Sequence, residues 1–281
     1  MSKLALGTVQ FGQDYGVTNN KGKISANEAE KILKFLEFNN IDTLDTAPSY
    51  GVSEKVLGMI GIENFNVISK TMPLELGVRN VIKSIYQSLN NLNISNLDGL
   101  LIHNINEVYD NKFDNLYQEL IRLKQEKLIN KIGFSTYTPD QVDFIIYNFD
   151  FDLIQVPFNV FDTRLIEGGQ LSLLKNQNIE IHARSIFLQG LLLSFNELDN
   201  YFLKWIGEFD RYQEIVKGSN LTLLEYALNF ALNIQEIDKV IVGVNSRKQL
   251  IEINDAILDQ MNLQAFNIND EKLLNPSLWK I

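Results

Sequence analysis

Ile129-Asn-Lys-Ile-Gly-Phe-Ser135-Thr-Tyr-Thr138-Pro139-Asp140 passes from one kind of structure to another within a short span. Ile129–Ser135 is an apolar run of strand length. Thr138-Pro139-Asp140 starts a helix, with proline in the first turn, where its missing N–H costs least. A strand feeding a helix is half of a βαβ unit, and repetition of that unit marks a parallel sheet.

Outward from this stretch the pattern recurs. The other candidate strands are Leu4–Thr8, Thr43–Thr46, Asn66–Lys70, Leu97–His103, Leu153–Val156, Ile179–Arg184 and Lys239–Val242. Several are continuous apolar runs, as strands buried on both faces are. Between them Asn27–Phe38 carries Ile32, Leu33, Phe35 and Leu36 at helical spacing behind a Ser25 cap. Val78–Leu92, Leu116–Lys127 and Leu223–Leu232 repeat the stripe. Eight alternations predict an α/β fold, a single-domain (β/α)8 TIM barrel of parallel strands over residues 1–281, a usual size for that barrel. A doubly wound open sheet is the alternative. Two connections exceed ordinary loops: Val9–Lys23, and Ser185–Ser219 with Phe187, Tyr201, Phe202 and Trp205, which is expected to shape a pocket.

Composition narrows the function. The chain is 45% hydrophobic and 21% charged with a net charge of −10. No basic cluster offsets that acidity, so no nucleic-acid partner is expected. With no cysteine, disulfides, thiolate catalysis and Cys-ligated zinc are excluded; with only His103 and His182 a multi-histidine site is not expected, and no metal is expected. The start Met-Ser-Lys-Leu-Ala-Leu-Gly has no secretory pattern and no apolar run approaches membrane-spanning length, so a soluble cytoplasmic protein with no membrane partner is expected. No heptad seam announces an oligomer.

Four residues at or just beyond strand ends carry chemistry: Asp45, Tyr50, Lys70 and His103. In a parallel barrel such positions converge on one pocket. An ammonium beside a phenol stabilises the phenolate, a carboxylate balances the buried ammonium, and an imidazole can hold a substrate oxygen against the phenol. This is equipment for protonating an oxygen that gains negative charge, as a carbonyl does on accepting hydride. None of the four delivers hydride, so a cofactor is required. No Gly-x-Gly-x-x-Gly follows a strand. Instead Val242-Gly243-Val244-Asn245-Ser246-Arg247-Lys248-Gln249 joins the last strand to a helix start suited to a phosphate.

Leu6-Gly-Thr-Val-Gln-Phe-Gly12, Asp45-Thr-Ala-Pro-Ser-Tyr50-Gly-Val-Ser-Glu54-Lys-Val-Leu-Gly58, Ser69-Lys70, Leu97-Asp-Gly-Leu-Leu-Ile-His103-Asn, Gly133-Phe-Ser135, Gln155-Val-Pro-Phe-Asn159 and Leu188-Gln-Gly190 together resemble the aldo-keto reductase family, in family order over nearly the whole chain. The resemblance implies reduction of a small-molecule carbonyl, an aldehyde or ketone, with NADP(H) lying across the barrel's carboxyl-terminal face. NADPH is expected over NADH from Arg247 and Lys248. It implies Asp45, Tyr50, Lys70 and His103 as the catalytic tetrad, with Tyr50 the proton donor. Ser135 and Gln155 would hold the nicotinamide carboxamide. Gly190 and Gly243–Arg247, including Asn245 and Ser246, would hold the phosphates. Gly7, Thr8, Thr136, Arg184, Ser185, Gln189, Gln249 and Glu252 complete the expected cofactor site.

Three positions depart from the family. Arg184 stands where an aromatic residue usually stacks on the nicotinamide. Thr136 replaces an asparagine after Ser135, and the expected Glu-Asn pair reads Glu252-Ile253-Asn254. Phe11, Phe158 and Phe187, with Tyr50 and His103, are the expected substrate pocket, and Arg184 with Asn159 points to a polar substrate such as a sugar derivative. His182, inside a strand, is expected to be a satisfied core histidine. Two other readings stand beside the reductase: an NADPH-binding sensor, and a Schiff-base aldolase using Lys70.

Overall fold

Backbone pairing runs from β1 (Leu4–Gly7) through β2 (Thr43–Asp45), β3 (Asn66–Lys70), β4 (Leu97–Ile102), β5 (Ile129–Ser135), β6 (Leu153–Pro157), β7 (Glu180–Arg184) and β8 (Lys239–Gly243), each parallel to its neighbour. β8 pairs back onto β1, with Gly243 opposite Gly7, so the sheet is a closed barrel and not an open one. The computed structural model describes residues 2–16, 22–195 and 198–280. Every strand lies within one residue of its expected bounds.

The principal helices are α1 (Ala26–Phe38), α2 (Ser53–Ile60), α3 (Val78–Leu92), α4 (Phe113–Gln125), α5 (Pro139–Asn148), α6 (Gln170–Asn176), α7 (Ile206–Gly218), α8 (Leu223–Leu232) and α9 (Arg247–Asp255). Their ends follow local chemistry. Ser25 caps α1 by accepting from the Glu28 N–H, and Thr138 with Gln141 forms a full capping box ahead of Pro139. α4 starts before the expected Leu116 and stops before Lys127, whose positive φ of 61° ends the helix.

The two long connections are more structured than their sequence implies. Val9–Gly12 is a helical turn, while residues 17–21 lie outside the described residues. Ser185–Ser219, of which 196 and 197 lie outside, contains two 3-10 turns and all of α7. Its Phe202 and Trp205 turn away from the barrel mouth: Trp205 Nε1 donates to Asp270 at 3.0 Å and Phe202 meets Trp279 edge-on.

Alternation along each strand sends every second side chain to the barrel axis. Ile68, Leu101 and Leu153 form a separate apolar plug there. Gly99 leaves room for it, since a Cβ would stand 2.8 Å from both Ile68 and Leu153. Toward the amino-terminal end, Lys131 bridges Asp98 and Glu180 at 2.9 and 2.7 Å. His182 is fully buried; Nε2 bonds Glu180 Oε1 at 2.7 Å while Nδ1 has no partner among the described residues, so the expected core histidine is satisfied at one nitrogen only. Burial pushes the Glu180 carboxyl up, but His182 and Lys131 hold it down at about 2. Above the plug, the strand ends carry Gly7, Asp45, Lys70, Ser135, Arg184 and Gly243, with Gln155 two residues short of the end of β6.

Candidate active site

Asp45 closes β2 and Lys70 closes β3. The Lys70 ammonium donates to both Asp45 oxygens at 2.7 Å and to the Thr46 carbonyl at 3.1 Å, with the two side chains only 2% and 6% exposed. Gln155 Nε2 adds a third donor to Asp45, at 2.7 Å. A buried ion pair is tolerable only when its remaining lone pairs are satisfied in this way. Tyr50 follows on the loop after β2, its ring centroid 4.9 Å from Lys70 Nζ and 6.3 Å from the His103 ring, which meets it edge-on.

That loop is pinned from below. Gly51 has a φ of +59°, and a Cβ there would meet the Gly12 carbonyl at 2.4 Å. A Cβ on Gly12 would stand 1.6 Å from the Tyr50 carbonyl. Ser53 Oγ donates to the Thr8 carbonyl at 2.9 Å, tying the loop to the end of β1.

Burial disfavours the Lys70 ammonium, yet Asp45 and the Tyr50 phenol outweigh it and hold its pKa above the ordinary lysine value. For Tyr50, burial is the largest influence and raises the phenol; Lys70 pulls it down, as its place in sequence predicts, but the net shift is upward. The phenol is therefore a protonated donor. Burial first, and the Lys70 charge second, lower His103 to about 4, so the imidazole is neutral near pH 7.

A consequence follows for stability. The unfolded chain takes up a proton on His103 near pH 6.5 while the folded chain resists until about 4. The stabilisation is complete above about 6.5 and is lost as pH falls through that window, about 2 kcal/mol between pH 7 and 5. Urea unfolding at both pH values should show wild type losing about that much more than His103→Gln; equal losses would refute it.

The cluster lines a cavity of about 340 Å³ at the barrel mouth. Gly7, Thr8, Ser135, Gln155, Arg184, Ser185, Gln189, Gly190, Gly243, Asn245 and Gln249 stand in its wall with Asp45, Tyr50, Lys70, His103 and Phe187. Thr136, Ser246, Arg247 and Glu252 do not. Nor do two of the expected pocket aromatics: Phe11 is wholly buried in the core, and Phe158 stacks on Phe230 at 5.7 Å. Asn159 is also structural, its Oδ1 accepting from the Phe161 and Asp162 amides and its Nδ2 donating to the Ser185 carbonyl.

Polar and aromatic wall residues outside the expected site include Gln10, which stands within the Leu6–Gly12 motif, and Tyr15 and Tyr137, which belong to no motif. Arg184 lies 4.2 Å from the Tyr137 ring centroid and donates from Nη2 to the Thr136 carbonyl at 2.9 Å. Ser185, Leu188 and Gln189 all take positive φ, 60°, 48° and 54°. Strain of this kind in non-glycine residues gathers at ligand sites.

The wall fits a dinucleotide. Gln10 Oε1 and Asn245 Oδ1 are buried acceptors with no partner among the described residues, open to the hydroxyl or amide donors such a molecule carries. At the start of α9, Ser246 Oγ accepts from the Gln249 N–H and Gln249 Oε1 accepts from the Asn245 N–H. Glu28 of α1 accepts from the Arg247 N–H at 2.8 Å. The two cations expected to receive phosphate lie elsewhere: Arg247 over the Phe35 ring, and Lys248, 87% exposed along its side chain, 3.7 Å from Glu252.

A closed (β/α)8 barrel with an acid, an amine, a phenol and an imidazole gathered at its carboxyl-terminal mouth is a barrel built for acid-base work on a small molecule. The profile of the Aldo/keto reductase family matches residues 3–273, and the chain belongs to that family. It is thus an NAD(P)H-dependent oxidoreductase of carbonyl compounds. No curated protein sequence matches the chain. Among solved structures it is similar to the aldo-keto reductase AKR11C1 from Bacillus halodurans (20% identity, 93% and 88% of the two chains, TM-score 0.74) and to the glycerol dehydrogenase AKR11B4 from Gluconobacter oxydans (20%, 93% and 88%, 0.70). Among the described residues no helix is long and apolar enough to cross a membrane, and no group of three or more His, Asp or Glu side chains is placed to hold a metal ion.

Proposed function

We propose that this protein reduces an aldehyde or ketone to the alcohol, with Tyr50 as proton donor. The observation that carries the reading is the Asp45–Lys70 pair, buried beneath a protonated phenol that also meets a neutral imidazole. A bound nicotinamide dinucleotide supplies hydride to the carbonyl carbon. Tyr50 then gives its proton to the oxygen, Lys70 stabilises the phenolate left behind, and neutral His103 donates a hydrogen bond that orients that oxygen. Ser135 and Gln155 face the same space and suit the carboxamide end of the cofactor. Arg184 adds a cation to the mouth, which favours polar carbonyl compounds over purely apolar ones.

Two observations favour this over the other readings. A Schiff-base lysine must be deprotonated, whereas Asp45 holds Lys70 charged. A sensor has no need of a proton donor, yet the whole tetrad is assembled. The test follows nicotinamide absorbance at 340 nm while the pure protein meets NADH or NADPH and a panel of aldehydes and keto sugars, with absorbance loss near ~1–10 per second for good substrates. Cofactor binding without turnover on any of them would favour the sensor.

A further inference from the structure

We infer that Glu28 is a cofactor-selecting residue: seated on the amino-terminal end of α9, its carboxylate favours a dinucleotide with a free 2′-hydroxyl, NADH, over one with a 2′-phosphate. The inference rests on the proposed function, together with the expectation from the family resemblance that the cofactor's phosphate-bearing half lies along Gly243–Arg247; Gly243, Asn245 and Gln249 of this stretch stand in the cavity wall.

A helix start attracts anions because its first N–H groups are unpaired and its dipole is positive there. In this chain that attraction is already used. Ser246 takes the Gln249 N–H and Glu28 takes the Arg247 N–H at 2.8 Å, a bond that is the largest cause holding the Glu28 carboxyl below its usual range. Lys31, 3.5 Å from the other Glu28 oxygen, balances the charge without displacing it. A phosphate of charge about −1.5 to −2 arriving here must expel the carboxylate or lie against it. A ribose 2′-hydroxyl instead donates to it.

A second, independent observation agrees. Gln10, 8% exposed, faces the cavity next to Gly243 with Oε1 unpartnered, and Asn245 Oδ1 is likewise unpartnered. Each offers a buried carbonyl acceptor to a hydroxyl donor of a bound ligand. The two cations nearest in sequence lie over Phe35 and beside Glu252.

The test measures dissociation constants of NADH and NADPH for the wild-type protein, Glu28→Gln and Glu28→Ala by calorimetry or tryptophan-fluorescence quenching at low salt, with thermal unfolding as a check on folding. Wild type should bind NADH about tenfold tighter than NADPH. Both variants should tighten NADPH about tenfold, with NADH changed less than about threefold, and the gain should shrink at high salt. Tighter wild-type binding of NADPH, or variants that move both cofactors equally or neither, overturns the role of Glu28 while leaving the reductase reading standing. Failure of wild type to bind either dinucleotide overturns the reductase reading and this inference with it.

Discussion

Tyr50→Phe should lower kcat about 10³-fold, the middle of the range that positioned acid catalysis supplies, while leaving cofactor affinity within about threefold. The ring stays, so its edge-on packing with His103 and its place over Lys70 are kept; only the hydroxyl that carries the proton is removed. An alkoxide forming at the carbonyl oxygen then lacks the positioned phenolic donor. Single-turnover absorbance measurements with a saturating aldehyde separate this step from product release. Activity within tenfold of wild type would refute Tyr50 as the donor, and a large loss of cofactor binding would mean the ring has a role beyond acid catalysis.

Asp45→Leu should destabilise the protein by about 3–5 kcal/mol, because it strands the Lys70 ammonium in a site only 2% exposed. For a chain of this length that is on the order of 10 °C in melting temperature. Adding Lys70→Met should restore most of the loss, since replacing both partners by apolar groups removes the uncompensated charge, while activity stays absent. Thermal unfolding of the single and double variants closes the cycle. A single-variant cost under about 1 kcal/mol would show that water or Gln155 already compensates Lys70.

Much of the site was legible in sequence because a barrel imposes it. Asp45, Lys70, Ser135, Arg184 and Gly243 end their strands, Gln155 lies two residues before the end of β6, and all share the inward phase of the two-residue period, so locating the strands places the side chains. Beyond a strand end that phase lapses. Phe158 follows β6 directly and Phe11 lies in the helical turn after β1, yet both pack into the core, because that turn and the neighbouring Phe230 decide where they point. The positive φ of Ser185, Leu188 and Gln189 leaves no compositional mark, as it falls on residues other than glycine. The upward shift of the Tyr50 phenol depends on how dry the finished pocket is, and the Glu28–Arg247 contact joins residues 219 apart that only barrel closure brings together.

The close approach of Gly12 and Gly51 has a consequence for grafting and for inherited variation. A Cβ on either would enter the other loop's backbone, so the turn after β1 and the loop bearing Tyr50 form one interlocked part. A tyrosine loop transplanted from another barrel would need its matching first turn with it, and drift at one loop is confined to what the other tolerates. The Tyr50 phenol is thereby fixed to the start of the Val9–Lys23 connection, while the Ser185–Ser219 connection that opens onto the same mouth lies outside this lock and can change without moving the phenol.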